Sequence, residues 1–251
     1  MAATADGYGQ GKGRRDERGN GESASDRGAR TAPPSTMEAK AAAARARILD
    51  AVIECLDRHG YAETSIARIQ ERAGMSRGAL THHFSSKEAL MVETAERLLR
   101  PVTTPRRRPD AGAADAQGRA NAVEADIVWM WEKMVDTREG RALLEILVAS
   151  RTDAALRSRI AGHFLDWNSR INRALAAGYS AFPAGAEAQE EIWTLCRVFL
   201  RGLNTQSPFE PDREARRRLV RRFARMIAHC LMDDDDGSSG SSRRARPPAA
   251  K

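Results

Sequence analysis

Between residues 40 and 232 apolar side chains recur every three or four positions, and no segment shows the strict alternation of a half-buried strand. That spacing predicts helices. Residues 40–59 place Ile48, Val52, Cys55, Leu56 and His59 on one face and stop at Gly60. The stripe through 117–136 is Val123, Ile127, Trp131 and Met134, and through 138–150 it is Leu143, Ile146 and Leu147. Residues 153–177 repeat Leu156, Ile160, Phe164, Trp167, Ile171 and Leu175, with Asp153 as an N-cap and Gly178 as a stop. Residues 187–204 align Ile192, Leu195, Cys196, Phe199 and Leu203; residues 213–232 align Leu219, Phe223, Met226, Ile227, Cys230 and Leu231. Helices with one apolar stripe must pack on each other, so the expected fold is all-α.

The pattern fails in three places. Residues 1–39 are rich in Gly, Arg, Ser and Asp and predict a disordered arm. Residues 101–116, with Pro101, Pro105, Pro109 and Arg106 to Arg108, read as a linker. Residues 233–251 run from four aspartates through Gly and Ser to arginines, a solvated tail. The remainder divides into a small unit, 40–100, and a larger helical one, 117–232.

Inside the small unit the segment from Thr64 to Phe84 reads as two short helices around a tight turn. Ser65 caps the first, and Ile66, Ile69 and Ala73 share its inner face. Gly74 suits a left-handed residue, Met75 plugs the corner, and Ser76 caps a second helix whose Leu80 and Phe84 point inward. Arg77, Gly78, Thr81 and His82 are left facing outward. Such a helix can enter a major groove by its N-terminal end, Arg77 holding a guanine while Gly78 allows close approach. Thr64, Ser65 and Ser76 stand where hydroxyls and helix-end N–H groups can grip phosphates; Lys87, Arg45 and Arg47 add cations.

Composition changes this picture little. The formal net charge is +7, but seven arginines fall between residues 213 and 225, so charge alone does not locate a nucleic-acid surface. The three cysteines are widely spaced and lie on apolar helix positions, which predicts core thiols. No apolar run approaches the roughly 18 residues of a membrane span, and the first 40 residues lack a signal-peptide core, so a cytoplasmic location is expected. There is no GxSxG elbow, phosphate-binding Gly loop, HExxH or Cys/His cluster; neither an enzyme, a metal site nor a cofactor is expected.

From Arg45 to Leu99 the motifs Gly60-Tyr61, Thr64-Ser65-Ile66, Ala73 to Leu80, His83-Phe84 and Ser86 to Leu90 resemble the DNA-binding domain of TetR-family transcriptional regulators, over about a quarter of the chain. The family usually has tyrosine where Thr81 stands, which removes one expected contact. The resemblance implies a three-helix helix-turn-helix domain followed by a ligand-binding and dimerisation domain. It implies a homodimer joined by its last two long helices, binding an inverted-repeat operator on double-stranded DNA. It also implies repression relieved by a small-molecule inducer, not identified from the sequence. For an apolar ligand pocket the candidates are Trp129, Met134, Leu147, Phe164, Trp167 and Phe199, with Asn168, Asn172 and Arg197 as orienting groups. Trp193, Leu200, Phe223, Met226 and Ile227 are candidates for the dimer interface. The competing expectation is a DNA-binding regulator controlled by a protein partner, or by no ligand.

Overall fold

The computed structural model describes residues 36–100, 115–179, 185–210 and 212–232. The arm up to residue 35, the linker from 101 to 114 and the tail from 233 lie outside them. Among the described residues the secondary structure is entirely helical. Four helices come first: α1 (Thr36–Glu63), α2 (Ile66–Ala73), α3 (Arg77–His83) and α4 (Lys87–Leu99). Then follow α5 (Ala116–Met130), a π-helical turn (Trp131–Val135), α6 (Arg138–Ala149), α7 (Ala154–Gly178), α8 (Ala186–Gln206) and α9 (Arg213–Met232). None of these helices is long and apolar enough to cross a membrane.

Helix α1 begins at Thr36, inside the stretch expected to be disordered. Its first turns are exposed and carry no apolar stripe, so periodicity missed them; Glu38 and the run Ala41 to Ala44 are strong helix formers with the acid in the first turn. The helix is broken at Gly60, whose φ of 72° no other residue adopts cheaply. His59, expected inward, is exposed, while Leu49 and Ile53 complete the buried face. Helix α5 starts at Ala116, where Asp115 caps it by accepting from the Gly118 amide at 2.7 Å.

Two hydrophobic clusters share three helices. The first gathers Ile48, Val52 and Leu56 of α1 with Ile69, Leu80 and Leu90, and it also takes Ala142 and Ile146 of α6 and Leu156 and Ile160 of α7. The second takes Leu99 at the end of α4, Leu143 of α6, and Trp167, Ile171 and Leu175 of α7, together with α5, α8 and α9. Helices α4, α6 and α7 therefore run through both. Polar contacts repeat the join. Arg141 donates to the Asp57 carboxylate at 2.5 Å, Glu145 accepts from the Tyr61 amide at 2.9 Å, and Arg159 reaches Glu88 at 3.1 Å.

The α5–α6 junction is tight. Asn204 donates to the Val135 carbonyl at 2.8 Å, and a Cβ on Gly140 would collide with the carbonyl oxygens of Met134 and Val135. Gly140 fits because it has none.

Ile146 has no exposed surface and lies where α6 meets α1. Ile146→Ala should cost about 2–5 kcal/mol in chemical denaturation, with fluorescence and circular dichroism losing structure in one coincident transition. Two separated transitions would show that the clusters are independent.

Candidate nucleic-acid interface

The turn between α2 and α3 is built from its caps. Ser65 sits in extended backbone and its hydroxyl accepts from the Arg68 amide at 3.3 Å. Gly74 ends α2 in the left-handed region, φ 62° and ψ 40°, and the Met75 amide reaches back to the Gln70 carbonyl at 3.2 Å. Ser76 then opens α3 by accepting from the Ala79 amide at 3.3 Å. Leu80 and Phe84 are buried beneath it, and Met75 is half-buried at the corner. The outer face is Ser76, Arg77, Gly78, Thr81 and His82, all exposed.

Other expected contacts are placed differently. Thr64 has no exposed surface, and its hydroxyl donates to the Gly60 carbonyl at 2.7 Å. It closes the broken end of α1 and cannot touch a phosphate. Arg45 is half-exposed but engaged within the unit: it pairs with Glu93, donates to the His83 carbonyl at 3.0 Å and covers the Phe84 ring. Arg47 donates to the Ala73 carbonyl at the end of α2. Lys87 keeps its ammonium 3.0 Å from the Tyr61 carbonyl and over the Tyr61 ring, and burial lowers its pKa. One bond leaves two of its N–H donors for another acceptor. Thr81 is exposed and turns its hydroxyl to the carbonyls of Arg77 and Gly78.

The cations of α2 are largely neutralised. Arg68 faces Glu63, and Arg72 pairs with Glu54. Arg77 has no acidic partner among the described residues. Sequence reasoning did not single out Ser86, which is exposed and caps α4 by accepting from the Ala89 amide at 3.0 Å. A serine immediately before the apolar stripe of α4 carried that signal.

Where the two units meet, a half-enclosed cavity of about 360 Å³ lies between α1, α4, the π-helical turn, α6, α7 and α8. Met134 and Trp167 line it, as expected; Trp129, Leu147, Phe164 and Phe199 do not. Leu147 packs on the junction core and Phe199 stacks on Phe223, with 3.9 Å between ring centres. Of the polar candidates Arg197 lines the cavity, whereas Asn168 and Asn172 do not. The missing wall is Met130, Leu143, Ile171 and Leu200, with Arg97, Arg201 and Asn204.

Three interface candidates are corrected as well. Trp193, Leu200 and Ile227 are buried in the chain's own core. The outward apolar surface lies beside them: Leu195 is 59% exposed, Val198 63%, Leu219 47% and Met226 61%. Cys230 is exposed next to it rather than in the core, while burial of Cys196 pushes its thiol up to about 12.

These features define an all-α protein with a capped helix-turn-helix at one end and a cavity-bearing helical body at the other. Residues 48–94 match the model of bacterial regulatory proteins of the tetR family. It is 40% identical over 62 residues to an HTH-type transcriptional repressor of Mycobacterium tuberculosis, and 34% over 82 residues to the HTH-type transcriptional regulator BetI of Burkholderia thailandensis. The matches cover 25% and 32% of this chain, but only 33% and 42% of the relatives' own lengths. The fold is similar to a transcriptional regulator from a Rhodococcus species, with a TM-score of 0.58 at 18% identity over 75% of this chain and 95% of that one. It is also similar to a regulator-like protein of Saccharomonospora viridis solved in complex with choline, TM-score 0.54 at 19% identity over 75% and 96% of the two chains.

Thr64→Val keeps the buried shape but deletes the donor to Gly60. It should lower stability by about 1–2 kcal/mol in urea titration and leave the salt dependence of any DNA binding unchanged. A reduced salt slope would return Thr64 to the phosphate contacts.

Proposed function

We propose that this chain is a sequence-specific DNA-binding transcriptional regulator, a cytoplasmic repressor that binds an inverted-repeat operator as a homodimer and leaves it when a small molecule fills the cavity. The exposed outer face of α3 carries this reading. Its Arg77 is unpaired among the described residues and stands beside Gly78, at the N-terminal end of a helix fixed from below by Leu80 and Phe84. That is the geometry by which a recognition helix presents side chains to base edges. Ser65, Ser76 and Ser86 cap three helix N-termini, where unpaired backbone N–H groups favour phosphate. The exposed His82 and Thr81 supply further contacts, and Lys87 backs the phosphate set.

The pairing surface in this reading is the outward face of α8 and α9. Leu195, Val198 and Phe199 follow an i, i+3, i+4 pattern; Leu219, Phe223, Met226 and Cys230 follow i, i+4, i+7, i+11, and the Phe199–Phe223 stack joins the two rows. An apolar face this continuous is buried in obligate dimers. Two-fold symmetry then places the two α3 helices on half-sites separated by about one helical turn, roughly 34–36 Å, or a multiple of it.

The cavity reaches the reading unit directly. Arg97 of α4 and Asp50 of α1 stand in its wall and pair at 2.6 Å, and Arg97 also donates to the Ala46 carbonyl. A ligand that favours another arrangement of this wall shifts the population of orientations available to α3.

Arg77→Ala should cost about 1–3 kcal/mol of operator binding and blur preference at one base position, read by fluorescence anisotropy on DNA selected from a random pool. Unchanged affinity and preference would remove α3 from the readout. Met226→Glu should convert the dimer to monomer in light scattering at micromolar protein; a variant that stays dimeric would place the interface elsewhere.

A further inference from the structure

The walls of the cavity are not electrically neutral. Arg97, Lys133, Arg138, Arg197 and Arg201 line it against two carboxylates, Asp50 and Glu139. Arg97 is answered by Asp50, and Arg138 by Glu139 at 2.8 Å. Lys133 is exposed at the rim.

The remaining two cations stand one turn apart on α8 and have no carboxylate. Arg197 bonds to neutral groups, the Asn172 side chain and the Thr194 hydroxyl. Arg201 has neither an ion pair nor a hydrogen bond among the described residues. Its guanidinium instead lies 5.2 Å from the centre of the Phe164 ring and 5.5 Å from that of Trp167. Burial, reinforced by Arg197, lowers its pKa to about 10, so it remains charged at neutral pH. A half-buried charge that meets aromatic rings but no counter-charge is unfavourable in a fold and favours an incoming anion. The opposite wall, Met130, Leu143 and Ile171, is apolar.

We propose that the cavity takes an organic carboxylate, its anionic head on the Arg201 and Arg197 guanidiniums and its apolar body along Trp167, Ile171, Met130 and Leu143. This rests on the cavity being the regulatory site of the preceding section, and it fixes the ligand's charge. A carboxylate matches the planar fork of a guanidinium and supplies the missing counter-charge. A quaternary ammonium is disfavoured twice: it meets two unneutralised cations, and Arg201 already occupies the aromatic faces that would receive it.

The test compares three probes of one chain length: octanoate, 1-octanol and octyltrimethylammonium. Each is titrated calorimetrically into the full-length protein at pH 7 and checked by thermal shift. Octanoate should bind more tightly than octanol, and the ammonium should give neither heat nor stabilisation. In Arg201→Met octanoate should weaken by roughly 10- to 100-fold, with octanol within about twofold of wild type. That variant exchanges an unpaired charge for an apolar chain of similar length, so its melting temperature without ligand should stay level or rise. Arg201→Lys, which keeps the charge, should retain part of the preference. Equal or tighter binding of the ammonium, or of octanoate to Arg201→Met, overturns the proposal. If octanol binds and octanoate gains nothing over it, the carboxylate assignment fails while the cavity stands as a binding site. If no probe binds, the assignment fails too, and operator binding measured on the same sample decides independently whether the regulator reading survives.

Discussion

The packing of α6 and α7 across both hydrophobic clusters is the constraint on which the rest of the structure depends. Ala142 and Ile146 point one side of α6 into the core beneath the helix-turn-helix, while Leu143 points the other way, toward the cavity. Helix α7 divides lengthwise instead, with Leu156 and Ile160 at one end and Trp167, Ile171 and Leu175 at the other. Cores are close-packed, so such elements move as units rather than deforming gradually. A shift of α6 cannot leave α1 in place, because Arg141–Asp57 and Glu145–Tyr61 bind the two helices at the end of α1 nearest α2.

Within the small unit much of the positive charge is used internally. Arg45 ties α1 to α4 and to the end of α3, Arg47 caps α2, and Lys87 secures the chain at Tyr61. These bonds fix the angle at which α3 stands out, so fewer cations are left to face DNA than the composition suggests. In the proposed function Arg77, His82 and the helix N-termini would then carry the reading face, which favours few, well-oriented contacts over a broad basic patch.

The helix-turn-helix was legible in the sequence because its determinants are local. Ser65, Gly74 and Ser76 act within three or four residues of themselves, and their roles follow from spacing and backbone preference alone. What escaped was set by distant neighbours. Thr64 resembles a hydroxyl available to solvent until Gly60 and the α1 break are placed over it. Helices α8 and α9 each carry apolar residues on two adjoining strips, and periodicity cannot say which strip meets the chain's own core. Trp193, Leu200 and Ile227 turned out to be the inner strip, while Leu195, Leu219 and Met226 are the outer. The cavity was hidden for a similar reason: Arg97 and Arg201 lie about a hundred residues apart in the sequence, and only the approach of α4 to α8 around the π-helical turn brings them to one cavity.

Helix α8 brings the two larger consequences together. Arg197 and Arg201 project to its cavity side, whereas Leu195 and Phe199 lie toward the outward face beside α9. Cys196 and Leu200, both buried, separate the two sides. An anion that draws Arg201 away from the rings of Phe164 and Trp167, and Arg197 away from Asn172, therefore acts on a helix whose other side is the proposed pairing surface. Its pull on Arg97, across the cavity, acts on α4 and through Asp50 on α1. In the function proposed above, one ligand of modest size would thus bias both the spacing of two subunits and the pose of each α3 helix. That is the differential contact a population shift requires, and it needs no wire of residues between distant sites because the cavity wall is itself part of both units.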